Sequence, residues 1–285
     1  MTSISFSEFD RVYQPGVSFV LEHWTPAMQT ELALHCHGWR PEAFDFTDYL
    51  RASSRRFYRA YLRCAEADAK TVCDVGGFWG VFPLAMKELG FDVAMTESLQ
   101  YYGESFQQLF GAIRERGVRI IDFDPFEAGA RLDETFDVVT VMAVLEHYPH
   151  SLREFMTNVD KVVKPGGNLY LEVPNIAYWP HRVGMLRGRS PLVNVADVYQ
   201  SRVPFIGHHH EFTRTELNDL ARLSGWRVLG EAAYNYTPGV LPRLKYVLRS
   251  PLQFLAFSLW PDTRECLTVW CSRQSERFGP GDRSA

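Results

Sequence analysis

The sequence predicts an α/β protein built on a mostly parallel sheet with helices on both faces. Three observations carry this. From Lys70 onward short apolar runs alternate with helical stretches. The runs are nearly continuous in apolar residues, as strands buried on both sides require. The first run ends in a glycine-rich turn, Asp74-Val75-Gly76-Gly77-Phe78-Trp79-Gly80, at a strand-to-helix junction.

The elements follow in order. Residues 71–75 read as the first strand. The helix at 81–89 has Gly90 as its C-terminal stop. Residues 91–95 and 118–121 are the second and third strands. Residues 136–142, continuous and β-branched, are the fourth. A helix over 151–163 ends at Lys164-Pro165-Gly166-Gly167, and 168–173 form the fifth strand. The helix at 213–224 has Thr213 as N-cap and Glu216 at the capping-box position. Residues 226–229 and 267–271 complete a seven-stranded sheet.

Outside this frame lie an aromatic-rich N-terminal segment, 1–69, read as a helical cap, and a segment 175–210 without clear period, read as an inserted lid. A second insertion spans 234–265, and a polar tail covers 274–285. A helix is expected around 48–66, where Arg51, Arg55, Arg59 and Arg63 repeat every four residues. Such a stripe is ordinarily a solvated face; its functional alternative is an electropositive wall over a substrate site.

The net charge of −4 at 285 residues argues against a nucleic-acid binder. It also hides a split. Residues 70–173 hold 9 basic against 16 acidic residues, whereas 174–210 and 234–285 are each net +3. Five cysteines, odd in number and without a C-x-x-C pair, read as reduced thiols in a cytoplasmic protein. No metal is expected: neither His35-Cys36-His37 nor the run His208-His209-His210-Glu211 can readily converge on one ion. No stretch spans a membrane or resembles a signal peptide. Residues 241–260, apolar with three cations and no acid, could lie on an anionic membrane. Pro251 splits them into two short helices, which favours a packed cap or a homodimer contact.

Taken together, five motifs resemble the class I S-adenosylmethionine (SAM) dependent methyltransferases. Asp74-x-Gly76-x-x-x-Gly80 looks like their first motif. Glu97 falls where the family places a ribose-binding acid, and Asp122 where an acid meets adenine, with Asp124 a near alternative. Phe136-Asp137-Val138-Val139 with Val144-Leu145-Glu146-His147 resembles the fourth strand and its loop. Val163-Lys164-Pro165-Gly166-Gly167 resembles the L-K-P-G-G motif, and His210-Glu211-Phe212-Thr213 leads to the late helix and strand. The order is similar to the branch with ubiquinone-pathway O-methyltransferases and glycan-tailoring enzymes. The resemblance implies a Rossmann-like fold and SAM as cofactor. Its cofactor contacts would be Asp74, Gly76, Gly77, Phe78, Gly80, Glu97, Ser98, Asp122, Phe123, Met142, Ala143 and Glu146.

One departure stands out: Phe78 replaces the middle glycine of D-x-G-x-G-x-G. It implies a wider or different turn, in a variant loop or in a protein that has lost the cofactor. For a hydroxyl acceptor a general base is expected from His147 or from His208, His209 and His210. The lid, with Tyr178, Trp179, Arg182, Tyr199 and Arg202, is expected to hold a small-molecule or sugar acceptor bearing negative charge. Transfer to N or C, and a SAM-fold binding protein without transfer activity, are the alternatives. The Pro-Gly-Gly motif counts against a nicotinamide-dependent oxidoreductase.

Overall fold

The computed structural model describes residues 3–236, 248 and 250–273. The expected tail 274–285, and residues 241–247 and 249 of the apolar stretch, lie outside the described residues.

Seven strands form one sheet: β1 (Thr71–Val75), β2 (Asp92–Glu97), β3 (Arg119–Asp122), β4 (Phe136–Met142), β5 (Val163–Pro174), β6 (Trp226–Tyr234) and β7 (Cys266–Arg273). Their order is β3-β2-β1-β4-β5-β7-β6. The first five are parallel, while β7 runs antiparallel to β5 and β6. Chain order reverses between β1 and β4, and such a switch opens a crevice at the carboxyl ends of the strands. Glu97 pairs with Asp122 across β2 and β3, while Val75 faces Thr96 and Val141, so the site candidates share that edge.

Some boundaries move. The fifth strand absorbs the Lys-Pro-Gly-Gly segment as an irregularity: Phe136 pairs with Val163 and Val138 with Asn168, so the intervening residues of β5 bulge outward. β6 runs five residues beyond the expected 226–229, because it pairs with β7 to Tyr234. The helix expected around 48–66 is two, α3 (Phe46–Ala52) and α4 (Ser54–Glu66). Asp45 caps α3, and the Ser53 hydroxyl donates back to the Tyr49 carbonyl at 2.8 Å where the helix breaks.

Two more helices precede these, α1 (Phe6–Glu22) and α2 (Pro26–His35), each with a capping-box start. Behind β1 runs α5 (Val81–Glu88); α6 (Gln107–Glu115) and α7 (Leu152–Val162) complete the crossovers. The lid holds α8 (Trp179–Leu186) and α9 (Val195–Gln200), where the sequence showed no period. The late helix is α10 (Arg214–Leu223), with Thr213 and Glu216 forming the reciprocal cap read from sequence. α11 (Pro251–Leu259) precedes β7. Among the described residues no helix is long and apolar enough to cross a membrane.

Phe9, Tyr13, Tyr61, Val72, Phe82, Val93 and Phe110 belong to one buried cluster, so the N-terminal helices share a core with one face of the sheet. The opposite face packs Val139, Phe155, Leu171, Leu217 and Trp226. Tyr13 ties α1 to α3, its buried hydroxyl donating to the Leu50 carbonyl at 2.7 Å. A Phe9→Ala variant should therefore lose about 3–5 kcal/mol of stability. Urea unfolding would then remain a single transition. A separate early transition of the N-terminal helices would contradict the shared core.

Candidate active site

Asp74 is the penultimate residue of β1, and its carboxylate accepts from the Thr140 hydroxyl at 2.6 Å. Burial raises its pKa to about 7, with the Thr140 bond opposing the shift. The turn that follows adopts positive φ at alternate residues: 66° at Gly76, 51° at Phe78 and 73° at Gly80. Phe78 thus adopts the left-handed conformation that suits glycine. A bulky side chain in that region carries strain of about 1–3 kcal/mol, and two contacts offset it. The Phe78 amide donates a very short hydrogen bond to Glu97 Oε1. Its ring lies 4.6 Å from Trp79 and 6.1 Å from Trp39. Trp79 in turn stacks on Trp24 at 3.9 Å, so the N-terminal aromatics roof the turn. A Cβ at Gly76 would come within 2.7 Å of Val144, and one at Gly77 within 2.8 Å of Met95.

Glu97 closes β2 and is 6 % exposed. Its Oε2 accepts from the Tyr102 hydroxyl at 2.7 Å. Burial lifts its pKa to about 8, against the Tyr102 and Phe78 bonds that favour the anion.

These groups border a cavity of about 690 Å³. Its wall includes Asp74, Gly76, Gly77, Phe78, Glu97, Ser98, Phe123, Met142, Ala143, Glu146, His147 and His208. Gly80 and Asp122 are not in the wall. Gly80 packs against Ile113, which a Cβ would meet at 2.7 Å. Asp122 is exposed and accepts from the Leu99 amide at 3.1 Å, outside the cavity. Asp124 stands in the wall instead, 8 % exposed and accepting from the Phe126 amide at 2.8 Å.

Three more wall side chains, Glu146, His147 and His208, converge from the loop after β4 and the segment before α10. Glu146 is fully buried, and its carboxylate accepts no hydrogen bond from another described residue. Burial raises its pKa to about 7. His147 Nδ1 lies 2.7 Å from the Ile206 carbonyl, and burial lowers its pKa to about 3, which keeps the ring neutral. His208 Nδ1 lies 2.9 Å from Glu211 Oε1, while its Nε2 is 4.0 Å from Glu146 Oε1. Burial opposes charge on His208, but Glu211 and Glu146 outweigh it and raise its pKa. Glu146, His147 and His208 offer metal-type ligand atoms within 4.8 Å of one another. The 4.0 Å between His208 Nε2 and Glu146 Oε1 is beyond hydrogen-bond reach, so a bridging ligand atom would be needed to link them.

The other two histidines are elsewhere. His209 is exposed with Nε2 at 3.0 Å from the Phe205 carbonyl, and His210 is exposed near Glu216. Their amides donate to the Glu146 carbonyl at 2.7 and 3.2 Å, so they fix the Glu146 backbone rather than face the cavity.

The lid also differs from expectation. Tyr178, Trp179, Arg182, Tyr199 and Arg202 do not line the cavity; Pro204, Phe205 and Ile206 do. The cause is how the lid docks. The Arg202 amide donates to the Leu34 carbonyl at 2.7 Å and the Ile206 amide to the His35 carbonyl at 3.0 Å. Asp197 accepts from Arg40 at 3.3 Å and lies 3.1 Å from His37 Nδ1. These bonds turn the lid's apolar tip inward; Tyr199 is left 89 % exposed and Arg182 and Arg202 face outward.

The arginine stripe likewise faces out. Arg55 lies over the Phe6 ring, Arg59 over Tyr234, and Arg63 pairs with Glu66. The cation in the cavity wall is Arg56, 3 % exposed, which the sequence reading passed over. Its Nε lies 2.5 Å from Glu172 Oε1, and it donates to the Tyr49 hydroxyl at 2.8 Å. The Tyr234 hydroxyl donates to the other Glu172 oxygen at 2.5 Å. A signal existed: Arg56 shares its helix face with Ala60 and Cys64, all buried, so it is a cation on an apolar stripe.

A family profile described as a methyltransferase domain matches residues 46–231, well over half of the chain. No curated protein sequence matches it. Among solved structures it is similar to the 1,6-didemethyltoxoflavin-N1-methyltransferase of Burkholderia thailandensis, at 16% identity over 86% of this chain and 87% of that one, TM-score 0.50. It is also similar to the glycopeptide N-methyltransferase MtfA, at 13% identity over 78% of this chain and 90% of that one, TM-score 0.50. A third, a putative sarcosine dimethylglycine methyltransferase from Galdieria sulphuraria, has 9% identity over 82% of this chain and 92% of that one, TM-score 0.52. Identities this low speak for a shared fold. The profile match reaches further, because it covers the glycine turn, the acid at the end of β2 and the loop after β4, and on it this chain belongs to the methyltransferase-domain family.

Proposed function

We propose that the protein transfers a methyl group from SAM to a hydroxyl oxygen of a small molecule or sugar. The observation that carries this is one cavity whose wall holds both the glycine turn with Glu97 and the pair Glu146 and His208, the latter bonded to Glu211. Its 690 Å³ falls within the ~300–1,000 Å³ usual for ligand sites.

The residues present fit the cofactor. Each Glu97 oxygen already accepts one bond and retains a lone pair, so the carboxylate can take both hydroxyls of a ribose. The bare backbone of Gly76 and Gly77 allows close approach for the amino-acid end. Asp124, from the cavity wall, is the acid suited to the adenine amino group. When bound, SAM supplies a methyl group on a sulfonium whose thioether leaves readily. The chain's task is then alignment, exclusion of water and removal of the acceptor's proton.

His208 is the group placed to take that proton. Glu211 holds Nδ1, which leaves Nε2 directed at the cavity, with Glu146 beside it. His147, neutral and hydrogen-bonded to Ile206, shapes the wall. The motif order shared with the ubiquinone-pathway branch supports oxygen as acceptor atom. An amine acceptor is the second reading, favoured by the number of carboxyl groups that could accept from its N–H: the wall holds Asp74, Glu97, Asp124, Glu127, Glu146 and Glu172, with Arg56 as its arginine. The same count, with the lid arginines turned outward, removes the support for an anionic acceptor. Labelled SAM offered with neutral sugars, phenols and aromatic amines would separate the two readings.

Three outcomes test the site. Glu97→Ala should weaken SAM binding tenfold or more by calorimetry, about 1.4 kcal/mol; unchanged affinity removes Glu97 from the cofactor site. His208 acts as a base only when neutral, so turnover should rise with pH through its raised pKa. Glu211→Gln should move that rise to lower pH and reduce the plateau while sparing SAM affinity; an unmoved profile places the base elsewhere. Third, the folded state holds protons on Asp74, Glu97 and Glu146 that the unfolded chain releases near pH 4–5. Stability of the ligand-free protein should thus fall as pH rises from 5 to 8, by on the order of 1 kcal/mol or more. Stability that climbs over this range would show these acids ionised.

A further inference from the structure

The two insertions that leave the sheet meet on one face. α8 and α11 pack against each other, with Tyr178 stacked on Phe257 at 5.8 Å. α11 carries no charged residue. It buries Ala256 and Phe257 inward and presents Leu252, Leu255 and Leu259 at 71%, 49% and 59% exposure. Trp260 follows at 57%. Single exposed leucines need no explanation. A helix without charge, polar only at Gln253 and Ser258, and with three leucines uncovered is a different matter, since largely apolar helices occur in cores or at membranes. α8 ends the same way, with Met185 and Leu186 at 60% and 88% exposure.

The charges beside these side chains have one sign. Arg182, Arg187 and Arg189 are exposed, and no acid occurs between Pro174 and Ala196 or between Leu248 and Pro261. The acids that bound these stretches are engaged elsewhere, Asp197 with Arg40 and Asp262 with Arg214 at 2.5 Å. A second copy of this chain is a poor cover: a twofold contact would set the three guanidinium groups of each copy against each other without a carboxylate. An anionic bilayer accepts both features at once, apolar side chains below the headgroups and arginines among the phosphates.

We propose that the face formed by α8 and α11 docks the protein on an anionic lipid surface. α11 lies along the interface, and Arg187 and Arg189 sit at headgroup level. The elements concerned follow Pro174 and precede Cys266, both of which line the cavity, so docking holds the catalytic crevice at the bilayer.

The test is flotation of the full chain with vesicles of phosphatidylcholine alone or mixed equally with phosphatidylglycerol. Binding should be at least about tenfold stronger on the anionic vesicles and should fall steeply with added salt. Arg187→Glu with Arg189→Glu should abolish the preference. Leu255→Gln with Leu259→Gln should weaken binding to both mixtures, with SAM affinity by calorimetry unchanged as the control on folding. Equal binding to both vesicles, or none to either, overturns the proposal. So does a dimer in sedimentation equilibrium that the Leu255→Gln, Leu259→Gln protein no longer forms.

Discussion

The buried pair between Arg56 and Glu172 ties the N-terminal helices to the carboxyl edge of the sheet. Arg56 comes from α4 and Glu172 from β5, and both are almost wholly shielded from water. Such pairs contribute little net stability against an apolar replacement, yet removing one partner strands a charge at a cost of about 3–5 kcal/mol. What the pair supplies is position. With Tyr49 and Tyr234 satisfying the remaining atoms, α4 has one register in which both charges are met. The roof aromatics then fall over the glycine turn, and the cavity closes between them.

That enclosure explains the electrostatics. Asp74, Glu97 and Glu146 are carboxyl groups removed from water, and each resists ionisation for that reason. Arg56, spoken for by Glu172, relieves none of them fully. Glu146 accepts no hydrogen bond from another described residue, so a ligand hydroxyl or amino group donating to it would offset its cost of burial.

Much of the frame was legible because it rests on local chemistry. Strand runs, the Thr213–Glu216 cap and the glycine turn are set by residues adjacent in sequence. Glu97, Glu146 and His208 were legible because each sits at a strand end or loop that the topology brings to one edge. The misplaced residues failed for tertiary reasons. Asp122 is still paired in β3, and only two residues later does the chain curl so that Asp124 enters the cavity. The lid arginines could not be oriented from sequence, since backbone bonds to Leu34 and His35 decide which side faces in. Arg56 was hidden by a conspicuous stripe one position away.

Those lid contacts have a consequence for how the protein can change. The lid is fastened partly through main-chain amides and carbonyls, which any residue but proline provides, and partly through the side chains of Asp197 and Ser201. Its outer side chains can therefore drift under selection for a new partner while the cavity stays shut. The inner tip, Pro204 to Ile206, is not free in this way, and divergence among relatives should concentrate on the outward side of the same short segment.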